Sequence, residues 1–133
     1  MATKKRKAVV SVELKESLLA DIMCIALEGG IGYWCAASHI RRRKNESTDS
    51  PVGFDYVSFR AHDTEGDDFK NRPVNYNTIA RGINKALKPG ARIRSDLRDQ
   101  IFRGVVSDDA GEIDADAADV IVQFGMFGRI VYG

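Results

Sequence analysis

Side chains capable of covalent chemistry are few in this sequence and lack the companions that catalysis requires. The histidines are His39 and His62. A Ser or Cys nucleophile needs a base beside it and a third group that orients the base. Cys35 lies four residues before His39, a spacing that would bring the two side chains together only if the segment were helical. The G-x-S-x-G motif of a serine nucleophile is not present. The sequence therefore predicts a protein that is not an enzyme.

Signatures of metal sites and phosphate loops are also missing from the sequence. Cys24 and Cys35 lie eleven residues apart, whereas structural zinc sites bring their ligands in close pairs. If Gly111 is aligned with the required glycine of a calcium loop, Val106 and Ala117 occupy the first and last ligand positions, and neither can bind the ion. The glycines after the first apolar stretch satisfy neither nucleotide-loop motif. We therefore predict no metal and no cofactor.

Ligand binding is the chemistry that the remaining side chains suit. Guanidinium groups hold phosphates through paired hydrogen bonds, and aromatic rings stack on nucleobases. Six arginines are spread over segments that we expect to be ordered: Arg60, Arg81, Arg92, Arg94, Arg98 and Arg103. Such residues also serve as solvated charges in most proteins, so residue type alone does not identify a site.

Length and charge limit the class of protein. A chain of 133 residues fits one domain. Lys plus Arg total 20 and Asp plus Glu total 19, without the basic excess that proteins bound to nucleic acid usually show. Two cysteines do not form a disulfide framework. No stretch of about 18 apolar residues predicts a membrane span, and the expected location is the cytoplasm.

Period-two patterns and β-branched residues predict three strands. Residues 54–62 alternate most clearly, and residues 8–14 are assigned as a strand because they are rich in Val. Residues 31–37 are compatible with a strand or a further helical turn, and Ile31, Tyr33 and Trp34 favour the strand. Residues 41–53, which contain Ser, Asn and Asp, are predicted to form a loop, and residues 63–72 an acidic turn.

Apolar residues at helical spacing predict four helices. The expected helices, with their caps and ends, are 15–27 with Ser17 as cap and Gly29 and Gly30 as its end, 75–87 with Asn75 or Asn77 as cap, one capped by Ser95, and one capped by Asp114 that ends at Gly128. Residues 129–133 should pack against the body. The sequence thus predicts an α+β fold, a small antiparallel sheet packed with about four helices, in a single domain over residues 8–133 after a flexible basic tail at residues 1–7.

Two blocks of sequence carry a resemblance to a known family. One block spans residues 21–35, and the other spans residues 112–123 and continues at 127–133. Together, and more weakly through residues 78–83, they resemble small bacteriophage and prophage proteins, and the pattern is similar to the first-described Thoeris anti-defence proteins. The middle of the chain, residues 38–73, matches nothing in that pattern.

The resemblance implies a function without catalysis. Members of that group bind the cyclic ADP-ribose signal of a host immune protein and sequester it in the host cell cytoplasm, and some bind cyclic oligonucleotides. They are homo-oligomers, so a dimer or a hexamer is expected, with ligand pockets between subunits. The residues expected to contact the ligand are Tyr33 or Trp34 for stacking, Arg60, Arg94 or Arg98 for phosphates, and Asp119 or Gln123 for ribose or base edges.

Other classes of function are compatible with the same sequence. A phage inhibitor could bind a host defence protein directly, as anti-CRISPR proteins do. A small nucleic-acid-binding protein would use the basic runs at residues 4–7 and 41–44, although the balanced total charge argues against nucleic acid as a partner. An enzyme that degrades the signal is the remaining alternative, and it would release an altered ligand.

Overall fold

The structure is a computed structural model that describes residues 11–44, 53–64, 69 and 71–133. The helices are α1 (Glu16–Ile25), α2 (Tyr76–Ala86), α3 (Ser95–Ser107) and α4 (Ala115–Phe127), and the strands are β1 (Cys35–Lys44), β2 (Phe54–Asp63) and β3 (Arg72–Asn75). A π-helical turn (Ala26–Gly30) extends α1, and a 3-10 turn (Ala110–Glu112) precedes α4. The predicted α+β fold, with a small antiparallel sheet and four helices, is confirmed.

The sheet has the strand order β1, β2, β3, and both pairs are antiparallel. Cys35 pairs with Asp63, and Phe59 pairs with Val74. A register shift between Ser38 and Arg41 interrupts the β1–β2 ladder, as expected where an extra residue bulges out of one strand. Helix α1 packs against β2 and helix α2 against β3, and Phe59 and Val74 belong to the shared hydrophobic core.

Helix α4 runs through the middle of the protein and packs tightly against α2. Residues 117–125 are all buried. A Cβ atom at Gly82 would collide with the carbonyl oxygen of Ile121, and one at Gly125 with the carbonyl oxygen of Thr78. Glycine at both positions therefore lets the two helix backbones approach more closely than any side chain would allow.

The predicted ends of α2 and α4 are largely confirmed. Asn75 caps α2 by accepting a hydrogen bond from the backbone N–H of Thr78 at 3.1 Å. Asp114 caps α4 by accepting from the N–H of Ala117 at 2.8 Å, and Gly128 ends it with φ of +76°. These side-chain oxygens pair backbone donors that the first helical turn leaves free.

Two predicted caps are wrong. Helix α1 begins after Lys15 and α3 begins after Arg94, neither with a side-chain cap hydrogen bond. Ser17 and Ser95 are therefore helical residues rather than caps. The backbone N–H of Leu18 instead bonds to the carbonyl of Lys15, because a helix can begin on backbone bonds alone when its apolar face is held by the core.

The strand predicted at residues 8–14 is wrong over its described part. Residues 11–14 have no strand partner, and Val12 is 49% exposed. A strand needs a neighbour to pair its backbone groups, and β1, β2 and β3 pair only with one another. Residues 8–10 and the predicted tail at residues 1–7 lie outside the described residues.

Around the sheet, three further predictions need correction. Residues 31–34 form a turn, closed by a 3.0 Å bond from Trp34 N–H to the carbonyl of Ile31, so the strand begins at Cys35 instead. Residues 41–44 belong to β1 rather than to a loop, and β3 was not predicted at all. The rest of the predicted loop up to residue 52, and half of the acidic turn predicted at residues 63–72, lie outside the described residues.

No helix among the described residues is long and apolar enough to span a membrane.

Candidate functional site

The carboxylate of Asp119 lies at the centre of a hydrogen-bonded cluster, which we call the Asp119 network. Asp119 is 7% exposed. It accepts a bond from the Tyr33 hydroxyl at 2.7 Å and one from Trp34 Nε1 at 2.7 Å. The side-chain amide of Gln123 donates to the same carboxylate at 3.0 Å. Four of the seven residues predicted to bind ligand are therefore brought together by direct contacts.

Local structure explains why these four residues meet. Asp119 and Gln123 lie one helical turn apart on α4, so their side chains share a face. Tyr33 and Trp34 follow the π-helical turn, which rests on the first turn of α4. At Gly30 a Cβ atom would lie 2.8 Å from the carbonyl oxygen of Ala115, so only glycine allows this approach without displacement.

Gln123 also fixes the final residues of the chain. Its side-chain oxygen accepts bonds from the backbone N–H groups of Val131 and Tyr132, both at 2.8 Å. Its amide donates to the carbonyl of Tyr132 at 3.2 Å as well as to Asp119. The prediction that residues 129–133 pack against the body is confirmed, and Gln123, which is fully buried, supplies the polar contacts.

Three aromatic rings among the described residues pack around the ring of Trp34. Tyr132 stacks on it, with ring centres 4.9 Å apart and planes 7° from parallel. Phe69 and Phe127 meet it at 6.0 Å and 5.8 Å. In this structure Trp34 and Gln123 serve the fold, and a ligand could stack on Trp34 only if Tyr132 moved. Their role as ligand contacts stays a prediction.

Beside the network lies an open cleft of about 290 Å³, which we call the Tyr33 cleft. Tyr33, which is 55% exposed, contributes its ring to one wall. Arg94 is exposed in another wall, where its guanidinium forms two bonds to Asp96 at 3.0 Å and 2.8 Å. The remaining lining residues are Leu97, Asp116, Asp119, Val120, Ile130, Tyr132 and Gly133. An aromatic ring, a guanidinium fork and carboxylates thus converge on one small space.

Burial of the hydroxyl, followed by its hydrogen bond to Asp119, raises the pKa of Tyr33 well above the ordinary value of a tyrosine. Tyr33 is therefore a neutral donor throughout the physiological range, and its bond to Asp119 holds the ring in place. Burial likewise raises the pKa of the Cys35 thiol to about 11. Because the thiolate is the reactive form, Cys35 is a poor nucleophile at neutral pH.

The other two predicted arginines lie apart from the network. Arg98 is exposed on α3, one turn after Arg94, and does not line the Tyr33 cleft. Arg60 is exposed on β2 and donates to the carbonyl of Asn71 at 3.0 Å. Arg94 is thus the predicted arginine that the structure brings to the Tyr33 cleft.

One polar group on the sheet was not foreseen. Ser38 Oγ lies 2.7 Å from His62 Nε2 and 3.2 Å from His39 Nδ1. The sequence spacing gave no sign of it, because the contact depends on the β1–β2 register and on the shift that follows Ser38. The pairing of Cys35 with His39 that a helix would have allowed does not arise in this strand. A Ser–His pair is one part of a nucleophile site, and Ser38 does not line the Tyr33 cleft.

Within the described ranges, no group of three or more His, Cys, Asp or Glu side chains is placed to hold a metal ion.

Comparisons of the chain with protein-family models, with curated proteins and with solved structures give no match.

Proposed function

We propose that this protein is a non-catalytic phage anti-defence protein that binds and sequesters a cyclic nucleotide immune signal, either a cyclic ADP-ribose isomer or a cyclic oligonucleotide. The observation that carries the proposal is the Tyr33 cleft, where an exposed ring fixed by Asp119 faces the same space as a guanidinium fork. A base can stack on such a ring while a phosphate binds the fork.

Each wall of the cleft suits one part of a nucleotide. The Tyr33 ring offers a flat apolar face for the base, and its orientation is set before binding by the bond to Asp119. Asp116 offers a carboxylate that can accept hydrogen bonds from ribose hydroxyls. Arg94 must exchange Asp96 for a phosphate, and this exchange is inexpensive because both side chains are more than half exposed.

The size of the cleft favours a site completed by a second copy of the chain. Pockets for small molecules usually measure about 300–1,000 Å³ and bury most of the ligand, and the Tyr33 cleft has about 290 Å³ and is open. A sequestering protein must also bind tightly, since a dissociation constant near 10 nM requires about 11 kcal/mol. A homo-oligomer, a dimer or a hexamer, would supply the missing walls.

Calorimetric titration tests the proposal directly. We expect cyclic ADP-ribose isomers or cyclic oligonucleotides to bind the purified protein, and the variants Tyr33→Ala and Arg94→Ala each to weaken binding by at least about tenfold, since one stacking contact or one phosphate contact is worth roughly 1.4 kcal/mol or more. Arg103→Ala is the matched control, because Arg103 is an exposed α3 arginine paired with Glu112 outside the cleft. Absence of heat at tens of micromolar protein, or equal binding by all three variants, would contradict the proposal.

The mass of the released ligand separates sequestration from degradation. A sequestering protein returns the signal intact when it is heated, whereas an enzyme returns a product of different mass. Ser38→Ala serves as the control variant here, because it removes the hydroxyl that lies between His39 and His62. Conversion of the signal by the unaltered protein and its loss in Ser38→Ala would replace binding with catalysis.

The structure offers less support to nucleic acid as the ligand. The basic run at residues 41–44 lies on the edge strand β1. Arg42 packs over the rings of Phe54 and Tyr56 at 5.0 Å and 5.6 Å, and Arg43 pairs with Glu16 at 3.0 Å. Two of the four cations are therefore already engaged within the protein.

A further inference from the structure

A second cleft, of about 390 Å³, lies where α2 and α4 end, and we call it the basic cleft. Four cations line it: Lys85 in the last turn of α2, Lys88 and Arg92 in the segment that follows, and Arg129 just after α4. The other lining residues are apolar or glycine, and no acidic side chain is among them.

The four cations have no counter-charge among the residues that the structure describes. None of them forms an ion pair or a side-chain hydrogen bond with the described residues, although most other described arginines do. All four side chains belong to exposed residues. Their positive charge is therefore available to an anion from solution.

Helix dipoles explain only a small part of this concentration of charge. The C-terminal end of a helix carries roughly half a negative charge and favours nearby cations. Two helix ends thus offset about one positive charge, whereas four cations line the cleft. Since like charges repel one another, the excess is unfavourable to the fold alone, and a bound anion would relieve it.

We propose that the basic cleft is a binding site for a small phosphate-bearing anion of the pyrophosphate type. Lysine ammonium groups act as point charges toward phosphate and arginine forks bind it with two hydrogen bonds, so the cleft offers both kinds of contact. Its concave form favours a compact anion over an extended nucleic-acid strand, which needs a track of cations along its backbone. The site does not depend on the function proposed above.

The two clefts lie side by side on α4. Arg92 lines one and Arg94 the other, two residues apart and so no more than about 7 Å along the chain. On α4, Phe124 lines the basic cleft and Val120 lines the Tyr33 cleft. The two residues are one turn apart, about 6 Å along the helix axis. If both proposals hold, a nucleotide whose base stacks on Tyr33 can place phosphates in the basic cleft.

Titration with inorganic pyrophosphate at low ionic strength tests the site, with calorimetry and amide NMR shifts as independent readouts. We expect binding that weakens as salt is raised, shifts at the amides of Gly90 and Gly128 in the cleft lining, and at least a tenfold loss in the double variant Lys85→Gln, Arg129→Gln. Arg103→Gln is the matched control and should bind pyrophosphate as the unaltered protein does, because Arg103 lies outside the lining.

Three results would overturn the site: no binding of pyrophosphate at millimolar concentration, equal binding by the double variant, or a single-stranded oligonucleotide that binds these cations while pyrophosphate does not compete. The Tyr33→Ala variant keeps the two proposals separable. It should retain pyrophosphate and lose the cyclic nucleotide. Pyrophosphate binding without any nucleotide binding would support this site and reject the proposed function. Normal nucleotide binding by a protein that does not bind pyrophosphate would reject this site and support the proposed function.

Discussion

The Asp119 network and the basic cleft both adjoin helix α4, and their charged groups differ in whether they are paired. In the network, a buried carboxylate accepts from Tyr33, Trp34 and Gln123. In the basic cleft, four exposed cations have no acidic partner among the described residues. A buried charge must be paired because removing it from water is costly, whereas an exposed charge is free to bind a ligand.

The difference assigns separate roles to the two ends of α4. Near its start, the network joins three parts of the chain that are distant in sequence: the turn at residues 31–34, the helix and residues 131–132. Its polar atoms are used up by these contacts, and no buried side-chain nitrogen or oxygen among the described residues lacks a partner. The network therefore holds the wall of the Tyr33 cleft, and the proposed function assigns ligand contacts to the exposed side chains around it.

The substitution Asp119→Ala should have the largest effect on stability. It leaves Trp34 Nε1 and the Gln123 amide buried without the carboxylate that they bond to. Unpaired buried donors cost about 1–3 kcal/mol each, and we expect a loss of about 3 kcal/mol in the free energy of unfolding, measured by urea denaturation. Asp116→Ala is the control, an exposed-side carboxylate on the same helix that should change stability by less than about 0.5 kcal/mol. Equal effects of the two substitutions would mean that the network does not hold the fold together.

Part of the network could be predicted from the sequence because its geometry is local. Asp119 and Gln123 share a face through helical spacing, and Asp114 and Gly128 marked the ends of that helix correctly. The contacts with Tyr33 and Trp34 cross more than 80 positions, so no spacing rule could reveal them. Gln123 binds residues 131–132 through their backbone N–H groups. Because nearly every residue carries such a group, the sequence gives no indication of this contact.

The errors in the sheet have a related cause. Residues 41–44 are charged and were assigned to a loop, but β1 is an edge strand whose residues 39–44 are exposed. Edge strands tolerate charged residues because their backbone pairs on one side only and their side chains reach water. Residues 11–14 place Val12 and Leu14 at alternating positions, yet they do not join the described sheet. Strand formation therefore depended on available partners rather than on residue type.

An intermediate effect is expected from Tyr33→Phe, and its pH dependence tests the network further. The pKa of Tyr33 is raised in the folded protein above its ordinary value of 10.0, so the neutral phenol is the form that the fold favours. The stabilising contribution is fully present below pH 10 and is lost as the pH rises above it. We expect Tyr33→Phe to lower the free energy of unfolding by about 1 kcal/mol at pH 7, the value of one hydrogen bond. At pH 11 the substitution should leave that free energy unchanged or raise it.

Urea denaturation of the unaltered protein and of Tyr33→Phe at pH 7, 9 and 11 measures the difference between their free energies of unfolding. Other groups that titrate contribute equally to both proteins, so their contribution cancels in this difference. Cys35, whose raised pKa of about 11 also favours the neutral form, lowers the stability of both proteins equally above pH 9. A gap between the two proteins that stays constant up to pH 11 would show that the Tyr33 hydroxyl is not held against Asp119.

The smallest effect on stability is expected at the basic cleft, and it is the result that most sharpens the contrast between the two regions. The double substitution Lys85→Gln, Arg129→Gln removes two exposed cations that have no described ion-pair partner. Surface changes of this kind usually alter stability by no more than about 0.5 kcal/mol. Relief of repulsion with the remaining Lys88 and Arg92 should offset the loss of favourable contacts with the helix ends.

Thermal unfolding in low salt, with and without pyrophosphate, measures both the stability of the variant and its binding of pyrophosphate. The unliganded melting temperatures should coincide, and pyrophosphate should raise only that of the unaltered protein, because a ligand stabilises the state that binds it. A clear loss of stability without ligand would instead mean that these cations, like Asp119, are committed to the fold.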